Sequence, residues 1–266
     1  MRVNNKWLAV LLILGLVSLS GCGLPVVKKL RARDYLNKGV TQFTNQKYDA
    51  AAQFFQKSLE LDPGFEIARM YLGSAYMSQF IPGSRDPRNE QIVNQAIKTF
   101  EQVVANSESA GEPNINAMLS IVSMYSLMKN YTDSKAWCDK VLKVDPTNAE
   151  AYYRVAVMNY DAIIEQTGVQ GEKVKDLSDE EITGLNGRIE EGLNYIGQAL
   201  KTKPDYHEAM DYQNLLWREK AKLESDDTAK ADLIRQADMV FLESQKIRRK
   251  AQEEAAKRPK AAPKAR

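Results

Sequence analysis

Histidine and cysteine are nearly absent from this chain of 266 residues, which contains one His and two Cys. The single histidine, His207, leaves a His-based metal site or a Ser-His-Asp triad without its other members. The sequence also lacks a Gly-rich phosphate loop after a strand pattern, and no Cys or His pair stands at metal-ligand spacing. We therefore predict that the protein is not an enzyme and needs no metal or cofactor.

The chain also has no apolar run of membrane-spanning length. Its longest apolar stretch, Trp7 to Leu19, has 13 residues, whereas a helix needs about 20 to cross the hydrocarbon core. Arg2 and Lys6 precede this stretch, and the small residues Ser20 and Gly21 follow it. That order is typical of a secretory signal peptide, so we predict that the segment is cleaved rather than membrane-spanning.

Residues Leu19-Ser20-Gly21-Cys22 resemble the bacterial lipobox. In that motif the Cys thiol receives diacylglycerol, the signal peptide is removed, and the new amino terminus is acylated. The resemblance implies that residues 1–21 form a lipoprotein signal peptide and that Cys22 carries lipid, including palmitate. Two or three acyl chains anchor a protein stably on a membrane. The alternative is an ordinary secretory signal in which the Cys is incidental.

The residue after Cys22 bears on which membrane receives the protein. Gly23 favours the outer membrane, by resemblance to the enterobacterial sorting rule in which Asp at this place retains a lipoprotein in the inner membrane. We expect an outer-membrane lipoprotein that faces the periplasm, with residues 22–31 as the lipidated N terminus and tether. Cations in and just after the tether can contact anionic lipid, namely Lys28, Lys29, Arg31 and Arg33.

The formal net charge of +2 conceals two basic ends around an acidic body. Residues 1–33 carry six Lys and Arg with no acidic residue, residues 246–266 carry nine against two Glu, and residues 34–245 have a net charge of −11. The basic, Ala-, Lys- and Pro-rich tail of residues 251–266 has no apolar face and is predicted to be disordered, although helix can continue to Lys257. The tail binds anionic lipid, a cell-wall polymer or an acidic partner, or it only increases solubility. Nucleic acid is not expected, because no aromatic residue is interleaved for base stacking.

Internal repeats determine the fold prediction. The segment 32–65 carries Tyr, Gly, Tyr, Ala, Phe and Pro at spacings that resemble the 34-residue tetratricopeptide pattern, at positions Tyr35, Gly39, Tyr48, Ala51, Phe55 and Pro63. Gly39 and Ala51 are small where the two helices of a repeat cross, and Phe55 fills the gap beneath the next pair. Pro63 ends the second helix because it has no amide hydrogen.

Four less regular repeats follow the first. The five lie near residues 32–65, 66–110, 115–148, 149–206 and 207–250, and the second helix arrives 11 residues late in the second and fifth repeats and 24 residues late in the fourth. In the fourth repeat, the spacing of Ser178 and Glu181 is that of a capping box, which predicts a long helix from Asp179. We therefore predict an all-α, right-handed tetratricopeptide (TPR) α-solenoid of about five helix pairs, some with extended helices or insert loops.

The same alignment predicts which residues of the later repeats are buried. Cys138 occupies the place of Phe55 and Phe100, so it is expected to be a small buried hydrophobe rather than a reactive thiol. With Cys22 lipidated, no intramolecular disulfide can form. In the fifth repeat the corresponding residues of the second helix are Ala237, Phe241 and Ser244.

The resemblance also implies a concave binding surface. In this family the inner face comes from the second, fifth, ninth, twelfth and thirteenth places of each first helix. These places predict a largely apolar protein-binding groove, consisting of Leu36, Val40, Phe43, Met70, Met77, Leu119, Tyr153, Val157 and Tyr160. Its far end is more polar, with Asp211, Leu215 and Arg218. Tyr and Met suit an adaptable peptide or helix site. The alternative is that the inserts or the last helix fold back and bury these residues.

Lipoproteins of this build include outer-membrane-protein assembly factors and type IV pilus pilotins, and this chain is similar to them in size, anchor and repeat type. The resemblance implies a membrane-anchored, non-catalytic interaction scaffold or assembly factor of the bacterial cell envelope. Its partner would be an envelope protein or peptide in the groove. The alternative function is a periplasmic ligand-binding component associated with a transporter. A third class, an enzyme, would need catalytic residues that the sequence does not identify.

Overall fold

The computed structural model describes the backbone of residues 5–257 and the side chains of residues 25–257. Within these residues the chain forms ten α-helices, one short 3-10 helix at Val174–Asp176, and no strand. The all-α prediction is therefore confirmed. The helices are α1 (Asn5–Thr44), α2 (Tyr48–Leu61), α3 (Glu66–Met77), α4 (Pro87–Ser109), α5 (Ile115–Leu127), α6 (Tyr131–Val144), α7 (Ala149–Thr167), α8 (Asp179–Thr202), α9 (His207–Leu223) and α10 (Asp227–Lys257).

These helices follow one another in five pairs, and each pair falls on one of the five predicted repeats. The described chain divides between Asn130 and Tyr131 into two compact bodies, which we call the N-terminal and C-terminal bodies. In the N-terminal body α1 packs on α2, α2 on α3, α3 on α4 and α4 on α5. In the C-terminal body consecutive helices from α6 to α10 pack in the same way, and α7 also packs directly on α9.

From residue 5 onward, the predicted signal peptide and tether fall on the first part of α1. The side chains of the lipobox, including that of Cys22, lie outside those that are described, so the lipidation prediction stays a prediction. Across residues 5–257, no helix is long and apolar enough to cross a membrane.

At the C-terminal end α10 continues to Lys257, so residues 251–257 are helical rather than disordered. They are mostly Ala, Glu, Gln and Lys, which are strong helix formers. Residues 258–266 lie outside the described part.

Two aromatic rings in the N-terminal body pack directly against glycine. Phe55 and Phe100 are fully buried. A Cβ added to Gly39 would lie 2.4 Å from Cε1 of Phe55, and one added to Gly73 would lie 2.6 Å from Cε1 of Phe100. Only glycine leaves room for the rings, because real Cβ atoms do not approach so closely. Small residues at the crossing, as the sequence predicts, therefore bring each helix pair together.

The inserted residues of the second and fourth repeats lie in the loops between paired helices and in longer second helices. In the second repeat the loop is held by Asn89, whose side chain accepts a hydrogen bond from Ile81 N and donates one to Ile81 O, both at 2.9 Å. Asp86 caps α4 through Arg88 N. In the fourth repeat the predicted capping box is present, and α8 begins at Asp179. The fifth repeat has only a short turn, so its extra residues lengthen α9 and α10.

Burial in the C-terminal body agrees with the repeat alignment at most places. Cys138 is fully buried, and burial raises the pKa of its thiol to about 12, so the thiolate that reacts is scarce at neutral pH. Ala237 and Ser244 of α10 are buried as predicted. Phe241 is not, since 42% of it is exposed. The ring of Phe55 is covered by Tyr71 of the following helix α3, whereas α10 is the last described helix and has no described helix after it.

Candidate peptide-binding surface

All nine predicted groove residues are half-buried, which leaves part of each side chain open to solvent. Six belong to the N-terminal body, on α1, α3 and α5, and three belong to α7 of the C-terminal body. In the N-terminal body α1 contacts α3, and α3 contacts α5, so the first helices of successive repeats are neighbours there. Phe43 lies 6.2 Å from Tyr71 between ring centroids. No residue of the predicted groove is buried in the core.

In the C-terminal body Tyr153 and Tyr160 of α7 are joined by a third tyrosine. The ring of Tyr212, on α9, lies 5.5 Å from each of them and nearly perpendicular to both, at 81° and 88°. Tyr206 extends the group, with its centroid 5.1 Å from that of Tyr153. We call these four residues the tyrosine cluster. Edge-to-face aromatic pairs at such distances are favourable beyond the area that they bury.

The helices beneath the tyrosine cluster approach closely because small residues lie between them. Ala156 of α7 and Ala209 of α9 are fully buried, and Leu216 packs with them in the same core. Gly192 of α8 leaves room for Leu216, since an added Cβ would lie 2.9 Å from its Cδ1. Asn148 caps α7 by accepting a hydrogen bond from the Ala151 amide. The spacing of α7 and α9 is thus set by packing below the rings.

A polar network holds one end of the tyrosine cluster. The Tyr206 hydroxyl donates to Glu150 Oε2 at 2.7 Å, and Arg154 Nε donates to Glu150 Oε1 at 2.8 Å. Burial and the bond to Glu150 both raise the pKa of Tyr206. Because Tyr206 is fixed in this way, it gives Tyr153 a rigid neighbour.

The other three hydroxyls of the cluster are available for hydrogen bonds with a ligand. Tyr153, Tyr160 and Tyr212 make no side-chain hydrogen bond to any residue that the structure describes. Burial raises the pKa of Tyr153 to about 12 and also raises the pKa values of Tyr160 and Tyr212. All three therefore stay protonated at neutral pH and can donate or accept hydrogen bonds. The cluster thus combines apolar ring area with three hydroxyls that a ligand can use.

The sequence prediction included Tyr153 and Tyr160 but missed Tyr212, which stands at the sixth place of its repeat. Tyr71 stands at the same place of the second repeat, where its ring contacts Phe43 and lies 5.4 Å from Phe55. Phe43 and Tyr160 both occupy twelfth places. In both cases an aromatic residue at the twelfth place of one repeat is followed by an aromatic residue at the sixth place of the next repeat. This sequence pattern could have identified Tyr212.

Residues at the predicted polar end of the groove form ion pairs with α10 but stay partly exposed. Asp211 accepts a hydrogen bond from Ser244 Oγ at 2.5 Å and pairs with Arg248, and Arg218 pairs with Asp238 at 2.5 Å. These charges are already matched within the chain. Among the described residues, no group of three or more His, Cys, Asp or Glu could hold a metal ion.

Comparison with known families agrees with the helix pairs. Models of the tetratricopeptide repeat match residues 32–65 and residues 115–148. The chain therefore contains tetratricopeptide repeats. The first match ends just after α2, and the second covers α5 and α6. No curated protein sequence matches the chain significantly.

Solved structures of MamA proteins have a similar fold over most of the chain. The crystal structure of MamA protein has a TM-score of 0.52 at 15% identity, covering 88% of this chain and 98% of that one. MamA 41-end from Desulfovibrio magneticus RS-1 has a TM-score of 0.52 at 14% identity, covering 83% and 96%. A MamA RS-1 double mutant has a TM-score of 0.53 at 14% identity, with the same coverage. At such low identity the likeness concerns the fold alone.

Proposed function

We propose that this protein is a non-catalytic interaction scaffold or assembly factor that binds a peptide segment or an amphipathic helix of a cell-envelope protein. The observation that carries the proposal is the tyrosine cluster, in which three hydroxyls without partners among the described residues lie on half-buried rings. Buried aromatic anchors dominate the binding energy of protein interfaces, and Tyr is among the residue types enriched there. Fixed rings also lose little conformational entropy when a ligand binds.

The N-terminal body supports the same function with a different surface. Its predicted groove residues are mostly aliphatic or Met, and all are half-buried. The hydroxyl of Ser74, which lies among them, donates to Met70 O within its own helix. Such a surface offers adaptable apolar contact but few free polar groups. We expect this surface to add affinity for apolar side chains of the ligand, while hydrogen bonds from the tyrosine cluster set the orientation of the bound peptide.

We further propose that lipid on Cys22 holds the protein at the outer membrane, facing the periplasm. The support is the order of charge, apolar stretch, small residues and Cys in residues 1–22. The basic residues near both ends can add contacts with anionic lipid or a cell-wall polymer, each cation contributing about 1 kcal/mol near an anionic surface.

The anchor predicts the effect of Cys22→Ser. This change removes the thiol that would receive diacylglycerol, so labelled palmitate should no longer be incorporated and an unprocessed precursor should accumulate. Metabolic labelling followed by gel electrophoresis measures both effects. Cys138→Ser is the matched control and should label like the wild type, because its thiol is buried. Palmitate incorporation that survives in the Cys22 variant would refute the lipobox interpretation.

A second candidate function is a periplasmic ligand-binding component associated with a transporter. The observation that favours it is a cavity of about 700 Å³ in the N-terminal body, between the loop of the second repeat and the end of α5. Phe80, Pro82, Val93, Leu127 and Met128 form its apolar wall. Sites for small molecules have volumes of about 300 to 1,000 Å³.

Crosslinking in intact cells, followed by capture of this protein, separates the two functions. An abundant envelope protein in the captured material supports the scaffold. A small apolar molecule that copurifies without a protein partner, detected by native mass spectrometry, supports the ligand-binding component instead.

A further inference from the structure

A second cavity opens beside the tyrosine cluster in the C-terminal body. Its volume is about 520 Å³, and Tyr160 belongs to both the cluster and the cavity wall. Leu215 of α9 and Ile234 of α10 provide apolar wall, and both are partly open to solvent. A ligand that lies on the tyrosine cluster can therefore extend into this cavity without leaving the surface of the body.

The cavity has one rigid wall, formed by the loop after α7. Glu219 of α9 is only 3% exposed. It accepts hydrogen bonds from Thr167 Oγ1 at 2.9 Å and from Lys222 Nζ at 2.6 Å. Lys222 Nζ also donates to Val169 O at 2.9 Å. A buried carboxylate with charged and neutral partners is strongly held, so the loop is fixed against α9 before any ligand arrives.

Three cations line the cavity, and two of them are already neutralised. Arg218 pairs with Asp238, and Lys222 pairs with Glu219. The third, Lys230 of α10, is exposed, and its Nζ makes no hydrogen bond or ion pair with any residue of the described chain. The rim therefore carries one positive charge without a matching anion, next to an apolar wall and the free hydroxyl of Tyr160.

We propose that this cavity is a subsite for an acidic side chain of the bound peptide, flanked by an apolar residue. Lys230 pairs with the carboxylate, the Tyr160 hydroxyl donates a hydrogen bond to it, and the apolar neighbour packs between Leu215 and Ile234. The inference rests on the proposed peptide-binding function and adds the chemistry of the ligand. Residues 34–245 carry a net charge of −11, so a peptide carboxylate is repelled over most of this surface and attracted at Lys230.

The test is a selection from displayed random 12-residue peptides whose C termini are fused to the carrier, so that every carboxylate comes from a side chain. The full wild-type chain should enrich peptides with Asp or Glu beside an aliphatic or aromatic residue. Lys230→Glu should lose the acidic preference and keep the apolar one. Lys98→Glu makes the same charge change at an exposed position of α4 and should select like the wild type. Circular dichroism confirms that both variants are folded.

Affinity measurements then give the size of the effect. For a selected peptide with one Glu, its Glu→Gln version should bind the wild-type chain about fivefold more weakly in fluorescence anisotropy, as for a partly exposed ion pair. The two peptides should bind Lys230→Glu with no such preference for Glu. Selected peptides without acidic residues, or an acidic preference that survives in Lys230→Glu, would overturn the subsite alone. Failure to enrich any peptide would overturn the proposed peptide-binding function and the subsite with it.

Discussion

Replacing Phe55 with Ala is expected to lower the free energy of unfolding by about 3 to 5 kcal/mol. Phe55 is fully buried, its ring fills the space that Gly39 leaves open, and it stacks on Tyr71. Removing the ring leaves a cavity bordered by helix backbone at Gly39, and backbone cannot easily move in to fill it. Urea denaturation of the chain from Lys28 onward measures the loss.

Phe241→Ala is the matched control, because it deletes the same ring at the equivalent place of the fifth repeat. Phe241 is 42% exposed, so the loss should be about 1 kcal/mol or less. The sequence pattern alone gives both phenylalanines the same role. A loss for Phe55→Ala as small as the loss expected for Phe241→Ala would show that Phe55 is not buried and that the register assigned to the first repeat is wrong.

The double change Tyr153→Ser and Tyr160→Ser is expected to weaken capture of the envelope partner about thirtyfold, as when a central aromatic anchor worth about 2 kcal/mol is lost. Both rings contact Tyr212, so their removal takes away two of the three free hydroxyls and much of the ring area. Capture after crosslinking, calibrated by a dilution series of the wild-type protein, measures the effect.

Tyr152 and Tyr195 provide a matched control within the same body. They form their own ring pair on α7 and α8, with centroids 6.1 Å apart, and Tyr152 donates to Pro146 O rather than to the cluster. Changing both to Ser should leave capture near wild type. Full-strength capture by a folded Tyr153/Tyr160 variant would place the binding site elsewhere.

The serine variant also reports on stability, because the rings are half-buried. If the serine variant loses its melting transition, the rings are part of the core. The double change Tyr153→Phe and Tyr160→Phe then tests binding in its place. That variant keeps every ring contact and removes only hydroxyls that have no partner among the described residues. Its melting should match wild type while capture falls about tenfold, since each hydrogen bond to a ligand contributes about 0.5 to 1.5 kcal/mol.

Much of the fold follows from local sequence signals. Pro63 and the capping box at Ser178 mark helix ends because their effects act within one turn of the chain. The small residues Gly39 and Ala51 mark helix crossings because only small side chains permit close approach. The alignment of the chain to the 34-residue repeat pattern adds the other helix pairs and predicts that Cys138 is buried.

The rest depends on contacts between elements distant in sequence. Nothing local indicates that α10 would neutralise Asp211 and Arg218, because those ion pairs need the relative placement of α9 and α10. The exposure of Phe241 depends on the lack of a following helix pair in the described chain. Tyr212 was missed because the family pattern assigns its place to the flank of the inner face. Tyr160, at the twelfth place of the preceding repeat, contacts Tyr212, and this contact makes the flank part of the binding surface.

Site-specific photocrosslinking from position 212 tests the central claim most directly. With p-benzoylphenylalanine replacing Tyr212, irradiation of intact cells should yield a discrete crosslinked adduct with one envelope protein. The same residue at Gln198, an exposed position of α8, should give none. Adducts from Gln198 but not from position 212, or from neither, would contradict peptide binding on the tyrosine cluster.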